Sequence, residues 1–451
     1  MLYRFKVIKY MRKGKYVMSD WRLHTPTGVN DVLPEECAIK KEIEATIWTV
    51  MTAAGYKEVE TPAFEYYDCY LGEGGQISQE TMFKFFDEQG RILALRPDFT
   101  TSIARMTATK ASDKKVPLRY MYTGSVYRHE QTEGVRQREI SQTGIELIGS
   151  YSYLADAEVI SCAIEALLAV GIEEFSIEIG QVAFFNGIVE QAGLDETMTE
   201  KLRERIDSKD SVGIKHLVKS LNIEEDVKQL IIDLPYLFGD ASILERANIK
   251  GLNYNSKIAL DNLKNIYNTL CSYGFEKYIS LDLGMLQSID YYTGSIFKGY
   301  THGVGFPVCA GGRYDNLMSK FGAPKGAVGV AMGISRIMKA VGGKGFGRSV
   351  GSTLAFAEKG ADAPMYELVS SLRMNGCLVE NYLGEDGDFE SAMSYAENTK
   401  QECVMRVYGD GRLKVYDLVQ DTVIDTTVNE FAGYGDEAAE PTAEELGFRR
   451  M

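Results

Sequence analysis

Chemistry in this chain of 451 residues would have to come from a few short polar patterns set among apolar ones. On REISQTGIELIG (Arg138 to Gly149), strand alternation puts Arg138, Gln142 and Glu146 on one face. Ser141, Thr143, Ile145 and Leu147 take the other. Three long polar side chains on one face either meet solvent or converge on a ligand. In GMLQSIDYYTGSIF (Gly284 to Phe297), Tyr-Tyr-Thr is good strand material, but Asp290 and Gly294 are not. A strand that tolerates both packs one face and does something polar at the other. Gln287, three residues before Asp290, is neutral. In LRPDFTTSIAR (Leu95 to Arg105), Asp98 or Thr100 can cap a helix.

Other chemistries find few residues to carry them. The seven cysteines are odd in number and scattered, with no C-x-x-C pair, so neither a zinc ribbon nor a disulfide framework is expected. That usage points to a reducing cytoplasm. The four histidines (His24, His129, His216, His302) are not paired at helical spacing, so no metal site is expected, and no cofactor is called for. GGKGFGRSVG (342–351) is glycine-rich but lacks the Lys-Ser/Thr ending of a phosphate loop and reads as a linker.

The elements that must position these patterns follow from periodicity. After the turn signal Asp-Val-Leu-Pro, a helix of roughly 20 residues carries Ile39, Ile43, Ile47, Val50, Met51 and Ala54 on one face and stops at Gly55. YKEVETPAF (Tyr56 to Phe64) reads as a short strand. A hairpin turning at Gln89-Gly90 leads through Arg96-Pro97-Asp98 into a further helix. RYMYTGSVYRHE (Arg119 to Glu130) and REISQTGIELIG form a long antiparallel hairpin around the polar loop QTEGVRQ. From about 193 to 255 the sequence turns helical and charged, as an insertion between two halves of a sheet. Strands resume at KYISLDLGM, SIDYYTGSIFKGY and VCAGGRYDNL, and GAVGVAMGISRIMKAV passes from strand into helix. Beyond the linker, 352–433 alternates strand and helix as a small α/β unit. Residues 434–451 are an acidic tail expected to fray. Residues 1–20 are basic but lack the apolar block of a signal peptide. They read as a poorly ordered extension ahead of the regular sequence, or else as a functional basic arm.

Bulk properties set the outer limits. A chain this long suits two or three domains, and 45% hydrophobic with 25% charged residues suits a globular protein with a sizeable core. No run approaches the ~18 apolar residues of a membrane span. A net charge of −15 argues against a general nucleic-acid binder.

Taken together, these motifs resemble class II aminoacyl-tRNA synthetases, specifically histidyl-tRNA synthetase. GVNDVLP (Gly28 to Pro34) resembles the family's Gly-x-x-Asp-hydrophobic-Leu-Pro opening, and LRPDFT its Leu-Arg-Pro-Glu-x-Thr stretch. The VYRHE…SQTGIELIG hairpin is similar to the second class motif, and GVAMGISRI (Gly329 to Ile337) to the third. SIDYYTGSIF and CAGGRYDNL look like the two histidine-specific motifs. The likeness covers 21–341 and implies an α+β fold: an antiparallel sheet core flanked by helices, with the helical insertion at about 193–255. The C-terminal α/β domain resembles a degenerate anticodon-binding unit.

A free histidine needs an anion near its ammonium, a cation near its carboxylate and partners for both ring nitrogens. The resemblance implies Asp98, with Phe99 beside it, and Thr100 near the ammonium, and Arg128 and Gln142 around the carboxylate. It implies Glu146 and Tyr292, with Tyr291 beside them, around the imidazole. This favours the convergent reading of the polar strand face. Asp98 is one methylene shorter than the family's Glu, which implies a longer or water-bridged contact. The activating groups are depleted. The family's Arg-Gly-Leu-Asp-Tyr-Tyr begins here with Gln287, and its basic loop Arg-Pro-Gln-Lys-Gly-Arg reads Gln131-Thr-Glu-Gly-Val-Arg136. Losing one cation at a developing phosphate charge removes on the order of 10²–10³ in rate. Arg136 and Arg336 remain for residual phosphate binding.

Histidine reading kept and activation partly lost is the pattern of the regulatory subunits of ATP phosphoribosyltransferase, which resemble this chain in WRLHTPTGVNDVLPEE and in the Asp form of LRPDFT. That resemblance implies a non-catalytic protein of histidine biosynthesis, partnered by the short catalytic subunit, dimeric through its class II core, and responsive to L-histidine. The competing expectations are a divergent working synthetase and an RNA-sensing module.

Overall fold

The computed structural model describes residues 21–71, 79–132, 135–219, 221, 223–286, 292–342, 346, 352–384 and 387–431. The expected N-terminal extension, most of the linker and the acidic tail lie outside the described residues. Two compact units divide between Gly347 and Arg348.

The first unit is built on a nine-stranded sheet. In spatial order its strands are Lys57–Glu58, Leu118–Thr132, Val135–Ile148, Ala327–Gly333, Cys309–Arg313, Ser295–Thr301, Phe175–Gln181, Ile279–Asp282 and Phe238–Gly239. Most pairings are antiparallel. Lys57–Glu58 runs parallel to the hairpin, and Phe175–Gln181 runs parallel to Ile279–Asp282, so the sheet is mixed at its margins. The hairpin arms run further than expected: the first reaches Thr132 and the second starts at Val135, with a register shift between Tyr127 and Glu130. The helical insertion also returns one short strand, Phe238–Gly239, to the sheet edge.

One sheet face is covered by helices. In Pro34–Ala53, Pro34 occupies the first turn and Glu35 and Glu36 suit the positive end of the helix dipole. Ile43, Ile47 and Met51 are fully buried, with Ile39, Val50 and Ala54 beside them. Gly55 ends the helix at φ +87°, a conformation only glycine adopts freely, and Tyr56 N–H donates back to Met51 O at 3.1 Å. Helices Tyr153–Ala169 and Tyr254–Ser272 join the same apolar core, where Ile145, Leu147, Ile177, Ile179, Phe297 and Val330 project from the strands.

The opposite face carries a second core. Helix Thr100–Lys110 lays Ile103 and Ala104 against Tyr122, Val126, Ile140, Ile148 and Tyr314. A three-stranded sheet (Phe64–Tyr66, Ile92–Leu95, Lys84–Phe86) leads into that helix, with Gly90 at φ +77° in its turn.

The second unit is a five-stranded sheet in the order Leu378–Asn381, Ser352–Ala357, Cys403–Val407, Arg412–Asp417, Thr422–Thr427. Helix Asp362–Met374 buries Leu368 and Val369 on one face, and helix Phe389–Asn398 buries Ala392 and Ala396 on the other. Its last strand was not expected. Most of its residues are exposed, so the apolar alternation that marks a half-buried strand is missing.

Candidate functional site

Strand parity decides which side chains can meet on the front face. Gln142 and Glu146 project there, paired across the ladder with Gly333 and Gly329. Asp98, Phe99 and Thr100 enter from the start of helix Thr100–Lys110. This entry is fixed by Arg96, which donates to Ser125 O at 2.8 Å and Thr61 O at 2.7 Å and lies 4.1 Å over the Phe99 ring. Tyr292 precedes strand Ser295–Thr301 and Tyr314 follows strand Cys309–Arg313, so both stand at the same end of that antiparallel pair. Together with Arg128 and Arg336 these residues line one cavity of about 120 Å³.

Glu146 is the most constrained group in it. Its carboxylate accepts from Thr100 Oγ1 at 2.7 Å and from the Tyr314 hydroxyl, and only 1% of the residue is exposed. Burial pushes its pKa up to about 8, against the pull of those two hydrogen bonds, with nearby Asp98 adding to the rise. Gly329 makes room for it, since a Cβ there would stand 1.8 Å from Glu146 Oε2.

Asp98 is held differently. Its Oδ1 accepts the Thr101 N–H of the helix's first turn at 2.9 Å, so of the two candidates, Asp98 and Thr100, Asp98 is the one that bonds there. Its Oδ2 is buried without a hydrogen-bond partner. Burial raises this carboxyl above the usual range, opposed by the Thr101 bonds and the Arg128 charge. Arg128 donates to Pro97 O at 3.0 Å and Arg336 to Pro307 O at 2.9 Å, which orients both guanidinium groups.

Of the residues singled out from sequence, Asp98, Phe99, Thr100, Arg128, Gln142, Glu146, Tyr292 and Arg336 are brought together here. Gln287 and Tyr291 lie outside the described residues, as does the side chain of Arg136. Tyr122 and Tyr314 were missed. Tyr122 is buried, stacks on Phe99 at 4.3 Å between centroids, and has its phenol pushed well above the usual value by desolvation. The signal that could have found tyrosines here is glycine placed inside strands. A Cβ at Gly144 would strike the Tyr122 hydroxyl at 2.4 Å, and one at Gly312 would meet the Tyr292 ring at 2.8 Å.

The cavity offers anionic, cationic and neutral polar groups around one small volume, well below the ~300–1,000 Å³ of drug-sized pockets. It suits a zwitterion of amino-acid size. Among the described residues, no group of three or more His, Cys, Asp or Glu side chains could hold a metal ion. No helix among them is long and apolar enough to cross a membrane.

Comparison with known proteins agrees with this architecture. A family model for histidyl-tRNA synthetase matches residues 28–337. A protein of Acetivibrio thermocellus named ATP phosphoribosyltransferase regulatory subunit is 45% identical over 92% of this chain and 99% of its own length. One of the same name from Ruminiclostridium cellulolyticum is 38% identical over 91% and 100%. A crystal structure from Bacillus halodurans, titled ATP phosphoribosyltransferase regulatory subunit/histidyl-tRNA synthetase, superposes with TM-score 0.76 at 34% identity, covering 86% of this chain and 98% of that one. Histidyl-tRNA synthetase of Nostoc sp. PCC 7120, at TM-score 0.74 and 20% identity over 91% and 98%, shares the fold. The chain therefore belongs to the ATP phosphoribosyltransferase regulatory subunits, a family built on the fold of histidyl-tRNA synthetase.

Proposed function

We propose that this protein is the non-catalytic, histidine-sensing partner of a short catalytic ATP phosphoribosyltransferase subunit, and that L-histidine binds in the cavity between Asp98 and Glu146. The pair of chains carries out the first step of histidine biosynthesis, joining ATP to phosphoribosyl pyrophosphate, with the reacting groups supplied by the catalytic subunit. One observation carries the ligand assignment: a buried Asp98 oxygen without a partner, in a small cavity that also holds Arg128, Gln142 and Glu146. An ammonium would satisfy Asp98, Arg128 and Gln142 would take the carboxylate, and Glu146, Tyr292 and Tyr314 would take the ring. Histidine inhibits through this site only if it binds the inhibited assembly more tightly than the active one. The chain self-associates as a dimer through its synthetase-like core and works in the cytoplasm.

The reading without synthetase activity is supported by Gln287 and by the nearly neutral loop from Gln131 to Arg136. Arg136 and Arg336 are too few to replace the missing cations. Histidine-dependent ATP–pyrophosphate exchange tests this directly. No exchange above background is expected, whereas robust exchange would identify a divergent working synthetase. Co-purification with a short ATP phosphoribosyltransferase, and that enzyme's dependence on this chain for activity, tests the partnership.

A further inference from the structure

Behind the cavity, on the helix-covered face of the sheet, lies a buried ion pair that the ligand reading does not use. Arg313 and Asp156 are 6% and 0% exposed. Arg313 Nε donates to Asp156 Oδ1 at 3.1 Å and Nη2 to Oδ2 at 2.5 Å. Nη1 donates to Ser150 O at 2.8 Å and to Asp315 Oδ1 at 3.1 Å, and Nη2 also to Ser152 O at 3.1 Å. Every guanidinium donor is used, and Ser295 donates its hydroxyl to the same Asp156 carboxylate.

This cluster grips both tyrosines of the site from outside it. Tyr314 is the next residue along the chain, so strand alternation sends its side chain to the front, where its hydroxyl reaches Glu146. Tyr292 is held through its neighbour Thr293. Thr293 N–H donates to Arg313 O at 2.8 Å, and Thr293 Oγ1 accepts the Asp315 N–H at 3.0 Å. Asp315 in turn accepts the Ala327 N–H at 3.0 Å, and the Tyr314 N–H donates to Ala327 O at 2.8 Å.

We propose that Arg313, acting from the far side of the sheet without touching ligand, is the positioning residue that sets Tyr292 and Tyr314 around the ligand ring and so determines preference for an imidazole over rings of the same shape. This rests on the histidine reading of the cavity. The ammonium end is anchored separately, by the Arg96 contacts that fix Asp98 and Thr100. Disturbing Arg313 should therefore damage ring discrimination more than amino-acid binding as such.

The test is calorimetric affinity for L-histidine and for 3-(2-thienyl)-L-alanine, a ring of similar shape without N–H groups, in full-length wild type, Arg313→Lys and Thr293→Val. A lysine offers one compact ammonium where the fork served four partners, Asp156, Ser150, Ser152 and Asp315. A variant that is merely less folded weakens both ligands by the same factor and leaves their ratio unchanged. The expected ratio falls about tenfold in Arg313→Lys, the scale of one buried hydrogen bond to the ring. It falls about threefold in Thr293→Val, which keeps the ion pair and decides alone if the lysine variant does not fold. A wild-type ratio in both folded variants overturns the inference, as does a wild type that binds histidine with no preference over the analogue. A wild type that binds no histidine removes the site reading and this inference with it.

Discussion

Two buried carboxylates line the same cavity, and the protein treats them in opposite ways. Glu146 has both oxygens occupied by fixed hydroxyls, from Thr100 and Tyr314, before any ligand arrives. Asp98 has one oxygen capping a helix and one with no partner. A satisfied buried group rigidifies its surroundings, whereas an unsatisfied one is a standing cost that a complementary ligand relieves. The difference assigns separate tasks: Glu146 holds a shape in advance, and Asp98 waits for a positive charge.

The sharpest way to break that contrast is Asp98→Asn. Asparagine keeps an acceptor for the Thr101 N–H but removes the charge that burial penalises. Histidine affinity should fall about 100-fold, because the ligand ammonium then enters a buried site without its counter-charge. The melting temperature of the ligand-free protein should not fall. Calorimetry and thermal unfolding check the two halves, and a parallel loss of both would make Asp98 a structural residue.

Tyr314→Phe should give the complementary result. It strips the donor from Glu146 Oε2 in the folded state and leaves a buried oxygen unsatisfied. Stability should drop by about 1–3 kcal/mol in denaturant titration, with histidine affinity down about tenfold. Unchanged stability would mean that the Tyr314–Glu146 bond holds nothing in place.

The contrast was only half legible in the sequence. Alternation along Arg138 to Gly149 sorted Gln142 and Glu146 from Ile145 and Leu147, because a period of two leaves no choice once one face is buried. The place before a helical run marked Asp98 or Thr100 as the helix cap without choosing between them. The unsatisfied oxygen of Asp98 was not readable, because that depends on what stands across the cavity. Tyr122 lies in the strand Arg119 to Glu130 with nothing in that strand to single it out. It enters the cavity through its stack on Phe99 and the space left by Gly144, on the opposite arm of the hairpin. Arg313 sat in a motif whose resemblance pointed to the ligand, yet parity turns its side chain to the opposite face, onto Asp156. The same dependence on non-local pairing hid the strand Thr422–Thr427, whose backbone bonds to Arg412–Asp417 do what an apolar face usually does.

The smallest expected effect concerns protons. Glu146 titrates near 8 in the folded protein because burial outweighs its two hydrogen bonds, and ordinarily at 4.5. A carboxyl raised in this way holds its proton more tightly in the folded state. The stability it contributes is complete below about 4.5 and is lost as pH rises through about 8. Asp98, raised above 3.8 by burial, pushes the same way. The melting temperature of the ligand-free protein should therefore decline between about pH 5 and 8. Thr100, Tyr314, Asp98 and the Tyr122 phenol act on or lie beside Glu146, and the cavity's two guanidinium groups, Arg128 and Arg336, donate to Pro97 O and Pro307 O. A bound ammonium would stabilise the ionised carboxylates, so the thermal shift produced by histidine should grow with pH across that window, equivalent to an affinity gain of about fivefold. Histidine's own ring loses its charge near the ordinary pKa of ~6.5 and contributes to the profile. Glu146→Gln separates the two. It should leave the ligand's titration and the part due to Asp98, and a profile identical to wild type would mean that Glu146 is already ionised at pH 6.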